Sequence, residues 1–279
     1  MATTTSLTTT YAGREAAGYI RAAFLSNESL AAVTIRENIE YKQVIRKLVD
    51  NVTFEAPTCD FTPLGTVTLT ERILTLEKFQ VHRQLCKKDF LADWEAKSEQ
   101  NGQLHASLAD AIIANVLAGV AARNEVLIWQ GVNANSGEYA GFETLFLADA
   151  AVLDVADPEA ITSANVIDEM AKLVATLPTR VKRATEKPVI AVSSNVAEAY
   201  RSAILGLGGG YYLYQGESVV MNWQGQYDVI ECPGMSDDTM AFYQKSNLIF
   251  GTNLLDQWNN VALLDMYASD LSDNVRFAC

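Results

Sequence analysis

The sequence holds almost nothing with which to grip a metal ion. It has two histidines and four cysteines in 279 residues. Cys59, Cys86, Cys232 and Cys279 form no Cys-x-x-Cys knuckle, and only His82 and His105 could join them, so no metal site is expected. Cysteines scattered in this way suggest free thiols in a reducing compartment. Positive charge is scarce too: 21 Lys and Arg stand against 34 Asp and Glu, for a net charge of −13. The longest basic patches, Arg180-Val181-Lys182-Arg183 and Lys87-Lys88, are short enough to be solvated faces. A broad nucleic-acid footprint is therefore excluded, and an acidic surface repels DNA. The opening Met-Ala-Thr-Thr-Thr-Ser-Leu-Thr-Thr-Thr has no basic or apolar region of the kind a signal peptide needs. The most apolar run, 108–122, is interrupted by Asp110 and Asn115 and is too short to span a bilayer. No membrane partner is expected.

Catalytic patterns are missing as well. There is no G-x-S-x-G and no HExxH. Glycines crowd into 206–210, but they follow a helical pattern at 196–205 rather than precede one. The negative end of the helix dipole faces them, which is the wrong sign for a phosphate cradle, and no Lys-Ser or Lys-Thr follows. Read as a helix end and a contact tip, the stretch offers Tyr211, Tyr212 and Tyr214 as amphipathic surface. Asp149, Asp154 and Asp157 could hold a cation on a soluble α/β enzyme, against the simpler reading of solvated acids. No catalytic residue and no cofactor is expected.

What the sequence does have is pattern. About half of it is hydrophobic, enough for real cores. A Thr-rich tail opens the chain; residues 14–25 and 39–49 read as helices, and Val52-Thr53-Phe54 as a strand. Pro57, Pro63 and Gly65 mark turns. Val67, Leu69, Leu74 and Leu76 alternate with polar residues, and Phe79, Val81 and Leu85 continue the alternation. A lone two-stranded ribbon of this kind is unstable in water, so it needs a surface, which another chain could supply. Residues 90–96 read as a helix anchored by Trp94.

The strongest signal follows. Leu108, Ile112, Val116 and Val120 recur every fourth residue, and Ile113 and Leu117 widen the stripe. This predicts a spine helix from 104 to Trp129, stopped at Gly131. A polar loop at 131–141 leads into mixed α/β sequence. A helix is predicted at 165–177, capped by Thr162 or Ser163, then a buried strand at 188–192 and a helix at 196–205 capped by Ser193 or Ser194. Strands are predicted at 227–231, 239–243, 246–251, 258–267 and 274–278, the last two returning to the spine.

This order of parts resembles the major capsid protein of tailed bacteriophages, the Hong Kong 97-type fold. The resemblance covers nearly the whole chain. It rests on an arm, a β-ribbon, the segment Leu85-Cys86-Lys87-Lys88-Asp89-Phe90 with Trp94, a spine helix ending Ile128-Trp129-Gln130-Gly131, then Gly141-Phe142-Glu143-Thr144-Leu145 and an α/β region. It implies an α+β fold with an N-terminal arm at 1–54, an extended β-hairpin loop at 55–84, a peripheral domain at 85–142 and 251–279, and an axial domain at 143–250. It also implies a structural role rather than an enzymatic one. Pentamers and hexamers of this chain would close into an icosahedral shell around double-stranded DNA, in the virion, after assembly in the bacterial host cytoplasm. Scaffold, portal and decoration proteins would be partners, and no DNA sequence would be read. The chain opens directly on the arm, so either a separate scaffold serves it or the chain is mature. The residues expected between subunits are Val67, Leu69, Leu74, Leu76, Phe79, Tyr211, Tyr212 and Tyr214. A cargo-enclosing shell of the encapsulin kind is the alternative with the same fold.

Overall fold

The computed structural model describes residues 9–12, 28–50, 54, 56, 65–86, 106–206, 221–253 and 260–279. The helices expected at 14–25 and 90–96 lie outside these residues, as do His105, Val52 and Thr53; Phe54 is described and is not in a strand.

The spine is α1, Ala106–Gln130, within two residues of the span its periodicity predicts. Ile112–Gln130 is long and apolar enough to cross a membrane by length and composition. In this chain its apolar side serves two cores. Toward its start, Ile112, Ile113 and Leu117 pack on Val261, Leu263, Val275 and Phe277. Those four alternate along two neighbouring strands, β11 (Asn260–Asp265) and β12 (Asn274–Ala278), as a sheet with one buried face requires. The sheet is antiparallel, in the order β1 (Thr9–Ala12), β11, β12, β5 (His82–Cys86). The late strands thus return to the spine as expected. The short helix α6, Tyr267–Asp270, links them.

At its other end the spine enters a second core. Ile128 and Trp129 pack there with Leu30, Ala32, Val33, Phe142, Val189, Cys232 and Tyr243. The chain then reverses tightly. The Gly141 amide donates to the Gly131 carbonyl at 2.8 Å, and a Cβ on Gly131 would stand 2.2 Å from the Tyr139 oxygen, so no side chain fits at that turn. Helix α2, Phe142–Ala148, leaves it.

A third core belongs to a four-stranded mixed sheet, ordered β7 (Met221–Trp223), β8 (Tyr227–Glu231), β6 (Val189–Val192), β9 (Met240–Tyr243). β6 runs parallel to β8 and antiparallel to β9, and all four of its residues are buried, which explains its unbroken apolar sequence. Helices α3 (Val166–Thr176) and α5 (Ser194–Gly206) cover it through Val166, Met170, Val196, Ala197 and Tyr200. One turn of helix, α4 (Thr179–Lys182), lies between them in sequence. The first residue flanking α3 is Asn165, without a side-chain cap. Thr162, expected to cap, instead donates from its amide and hydroxyl to the Asn165 side-chain oxygen. At α5 the Asn195 side chain, not Ser193 or Ser194, accepts from the Val196 amide at 2.9 Å.

Two elements depart from expectation. The segment read as a helix at 39–49 is strand β3, Lys42–Asp50. It pairs antiparallel over nine residues with β4, Val67–Thr75. The ribbon therefore begins upstream of residue 55, and its first strand lies in what reads as the arm. Its continuation to Leu85 is also interrupted: residues 76–81 are irregular, and β5 belongs to the sheet of β1, β11 and β12. The arm is pinned just before the ribbon by a 3-10 turn, Glu28–Ala32, and by β2, Thr34–Arg36, which runs parallel to β10, Ile249–Gly251.

Candidate interaction surface

The ribbon's register decides what each face carries. Rows Lys42/Thr75, Val44/Ile73, Arg46/Glu71, Leu48/Leu69 and Asp50/Val67 share one face. Its apolar members stand in water: Leu48 is 65% exposed, Ile73 66%, Val67 64% and Leu69 54%. In the middle, Arg46 Nε reaches Glu71 Oε1 at 2.8 Å. An exposed pair of this sort adds little stability, but a slip of one residue would separate it and turn the apolar row over.

The opposite face carries Gln43/Leu74, Ile45/Arg72, Lys47/Thr70 and Val49/Thr68. Its base is tied to the body. Gly251 leaves room for the Leu74 side chain, whose Cδ2 lies 2.5 Å from where a Cβ would sit, beside Ile39. Leu76 donates its amide to the Tyr41 carbonyl at 3.1 Å. Arg72 donates to the Asp149 carboxylate. That hydrogen bond, with help from the Ala151 amide, holds the Asp149 carboxyl below the usual range.

The expected contact residues therefore separate. Val67 and Leu69 lie on the bare outer face. Leu74 and Leu76 are half-buried at the base, Leu74 against its own chain. Phe79, 43% exposed, lines an open groove of about 1340 Å³ between residues 78–85 and α1, along with Val81, Leu85, Val116, Val120 and Leu127. Tyr211, Tyr212 and Tyr214 lie outside the described residues. Val44, Leu48 and Ile73 were not among the expected contacts, yet they complete the face. Their signal was available: Val44 and Leu48 are four apart, which puts them on one side of a strand as well as of a helix. Exposed apolar side chains also went unread on α2, at Leu145 and Leu147, and on the loop after it, at Val152 and Leu153.

Several buried polar groups have structural partners, while Asn124 Nδ2, Glu125 Oε2 and Tyr243 Oη are buried without one. Trp129 Nε1 donates to Ser29 Oγ at 2.7 Å, and Ser29 donates through both amide and hydroxyl to Glu125 Oε1. This clamps the arm to the spine. Tyr139 donates to Asn124 Oδ1 at 2.7 Å. Burial pushes the Cys232 thiol up to about 12, with Glu125 adding to the effect, so it stays protonated at neutral pH. Cys86, Cys232 and Cys279 are free thiols. Among the described residues no group of three His, Cys, Asp or Glu is placed to hold a metal. Asp149 is engaged by Arg72 instead, and Asp154 and Asp157 lie on exposed loop.

No family model matches the chain, and no curated protein matches it. Solved structures do. The capsid of the native GTA particle aligns over 100% of this chain and 88% of that one, at TM-score 0.53 and 13% identity. The capsid asymmetric unit of cyanophage A-1(L) aligns over 90% and 86%, at 0.59 and 11%. The procapsid of satellite phage P4, including its size determination (Sid) protein, aligns over 94% and 91%, at 0.51 and 13%. At such identities the similarity is one of fold. The chain has the α+β, Hong Kong 97-type fold of tailed-phage major capsid proteins.

Proposed function

We propose that this chain is a capsid shell subunit that assembles with copies of itself into pentamers and hexamers, closing an icosahedral shell around double-stranded phage DNA. The observation that carries this reading is the exposed apolar face of the β3–β4 ribbon, on a chain with a capsid fold. Burying Val44, Leu48, Val67, Leu69 and Ile73 stabilises by about 25 cal/mol per Å² of apolar surface removed from water, and a neighbouring subunit is the surface such a chain has most of. Closed symmetry would also cover the ribbon's two edges, which pair with no other described strand and otherwise invite uncontrolled pairing. The net charge of −13 suits a wall that encloses DNA without trapping it.

In this reading the parts divide as an arm, the ribbon, a peripheral domain of α1 with the late strands, and an axial domain over 143–250. The ribbon's first strand is then counted with the loop. Val67, Leu69 and Phe79 meet a neighbour directly, and Leu74 and Leu76 hold the ribbon at its angle. Tyr211, Tyr212 and Tyr214 would make contacts near the capsomer axis. Scaffold, portal and decoration proteins are the further partners, assembly takes place in the host cytoplasm, and the role is structural rather than enzymatic.

The test is electron microscopy of the purified chain, expressed alone and with its neighbouring phage genes. Closed shells or five- and six-fold capsomers are expected, with nuclease-protected DNA inside particles from infected cells. A monodisperse monomer under all these conditions rejects the proposal. Particles filled with protein and free of nucleic acid would favour the cargo-shell alternative.

A further inference from the structure

The spine helix is more apolar than its own chain requires. Only 39% of its apolar stretch, Ile112–Gln130, is buried. Ile112, Val116, Gly119, Val120, Arg123 and Leu127 recur at helical spacing along one face, and that face is one wall of the groove of about 1340 Å³. Residues 78–85 are the other wall. Val81, Arg83 and Leu85 line it together, and Arg83 lies opposite Phe277, which packs with Ile112 of α1. Among the described residues the charged lining is Lys78, Arg83, Arg123 and Glu138. Arg123 and Glu138 pair with each other. Lys78 and Arg83 are exposed and form no ion pair with a described residue. The groove is thus locally cationic in a chain of −13. Toward the end of α1 it is lined by Asn124, which is 3% exposed. The Asn124 Oδ1 accepts from Tyr139, and its Nδ2 is buried without a partner. Midway lies Gly119, where an added Cβ would meet nothing within 4 Å. Glycine weakens a helix interior relative to alanine, and no described residue uses the room it leaves.

We propose that this groove is the docking site for an acidic amphipathic helix of a different protein. Its walls call for apolar side chains, Lys78 and Arg83 for carboxylates, and Asn124 Nδ2 for an acceptor. Gly119 lets a helix backbone come close. The dimensions agree. From Ile112 to Leu127 the spine rises about 22 Å, and a helix of that length and about 10 Å across occupies about 1700 Å³. The groove takes most of it, whereas an extended strand would leave it largely unfilled. An apolar helix face laid into a groove is a recurrent mode of recognition. A second copy of this chain does not suit. Two such grooves face to face would set Lys78 and Arg83 against their like. Helices α3 and α5 bury their apolar faces in the third core, and α2 has only seven residues. Residues 90–96 carry Asp93 and Glu95 beside Phe90 and Trp94, but as a helix they would cover about 10 Å, under half the length. An inward-facing cation also discourages pairing at an edge strand such as β5, which accounts for Arg83 but not for Lys78 or Gly119. Such docking needs one folded chain and no shell, so it stands or falls separately from the shell-subunit reading.

The probe is a synthetic helical peptide of about 15 residues, about 22 Å long, with Leu along one face and Glu at its borders. A second peptide has Lys in place of every Glu. Binding to the dispersed full chain is read by fluorescence anisotropy, and the site by mass spectrometry after photocrosslinking from the peptide's apolar face. The Glu peptide should bind about tenfold more tightly than the Lys peptide, or better, and crosslink within 78–85 and 112–127. Lys78→Glu with Arg83→Glu should reverse that preference. The cross-strand neighbour of Arg83 is Phe277, so the change sets no like charges opposite each other in the sheet. Gly119→Leu should weaken binding by about tenfold or more while the melting temperature holds or rises, because leucine favours a helix more than glycine does and its Cβ meets open space. Equal binding of both peptides would make the groove a bare apolar surface and overturn the proposal. Binding that Gly119→Leu leaves intact, or crosslinks elsewhere, would overturn it as well. So would absence of binding. In that case, binding gained in Trp94→Ala would assign the groove to residues 90–96, and self-association lost in Gly119→Leu would assign it to a second copy.

Discussion

At the scale of single residues, the fold depends on places where backbone meets backbone. Gly234 is one. A Cβ there would sit 1.9 Å from the Glu125 carbonyl oxygen and 2.6 Å from its carbon, and neither can move without bending the spine helix. Gly234→Ala should therefore destabilise by at least the about 1–3 kcal/mol typical of overpacking, visible as a drop in the urea midpoint. The same change at Gly225, where nothing lies within 4 Å but φ is +69°, tests strain without collision and should cost about 1 kcal/mol. Titrating groups in the same region set an alkaline limit. Burial raises the Cys232 thiol to about 12 and raises the Tyr139 and Tyr243 hydroxyls as well. The folded chain holds these groups neutral, and the unfolded chain ionises first. Their stabilising effect is thus complete below about pH 8, under the ordinary thiol pKa, and is lost progressively as pH rises toward the folded values. Urea melts at pH 7, 8 and 10.5 should show stability level to about 8 and falling above it. Cys232→Val should flatten the early part of that fall; an unchanged curve would remove the thiol from the account.

At the scale of elements, the ribbon is the part whose sequence and role are hardest to separate. Leu48→Lys with Leu69→Glu puts opposite charges on one exposed row, where they face each other across the strands. Because both side chains already face water, the dispersed chain should keep its stability within about 0.5 kcal/mol, while assembly should fail. Loss of folding in the dispersed chain would show that the row is buried by its own body. The sequence misleads here for a physical reason. Val44, Ile45, Leu48 and Val49 fall at i, i+1, i+4 and i+5, the spacing of an amphipathic helix, among residues that tolerate one. What makes β3 a strand is a partner seventeen or more residues away, which local periodicity does not report. The same long-range pairing breaks the apparent single apolar face of β4: Val67, Leu69 and Ile73 face out, and Leu74, of opposite parity, turns in toward Gly251. By contrast the spine and β6 were legible. Ile112, Val116 and Val120 repeat at helical spacing along 25 residues, and Val189–Val192 is apolar throughout because both its faces are covered. The exposure of Leu145, Leu147, Val152 and Leu153 was not legible, since short apolar runs read the same whether buried or bare.

At the scale of the whole molecule, three cores are formed by the described residues, and none of them includes the outer face of the ribbon. The spine packs in the first two, while the ribbon is held at its base by Leu74, by the Leu76 amide and by Arg72. A two-stranded element tethered at one end has little to resist opening at the other. Its protection should then depend on whether copies are assembled, and that of the body should not. Hydrogen exchange on dispersed and assembled chain measures this directly. In the dispersed chain, amides of β3 and β4 beyond the Arg46/Glu71 row should exchange fast, and those of β6, β11 and β12 slowly. Assembly at a hundred times the dissociation constant stabilises the bound form by about 2.7 kcal/mol, so the ribbon amides should slow by about a hundredfold while the three core strands change little. Equal protection in both states would mean that the ribbon is already complete on its own chain. The exposed leucines and valines would then need another explanation than a neighbouring copy.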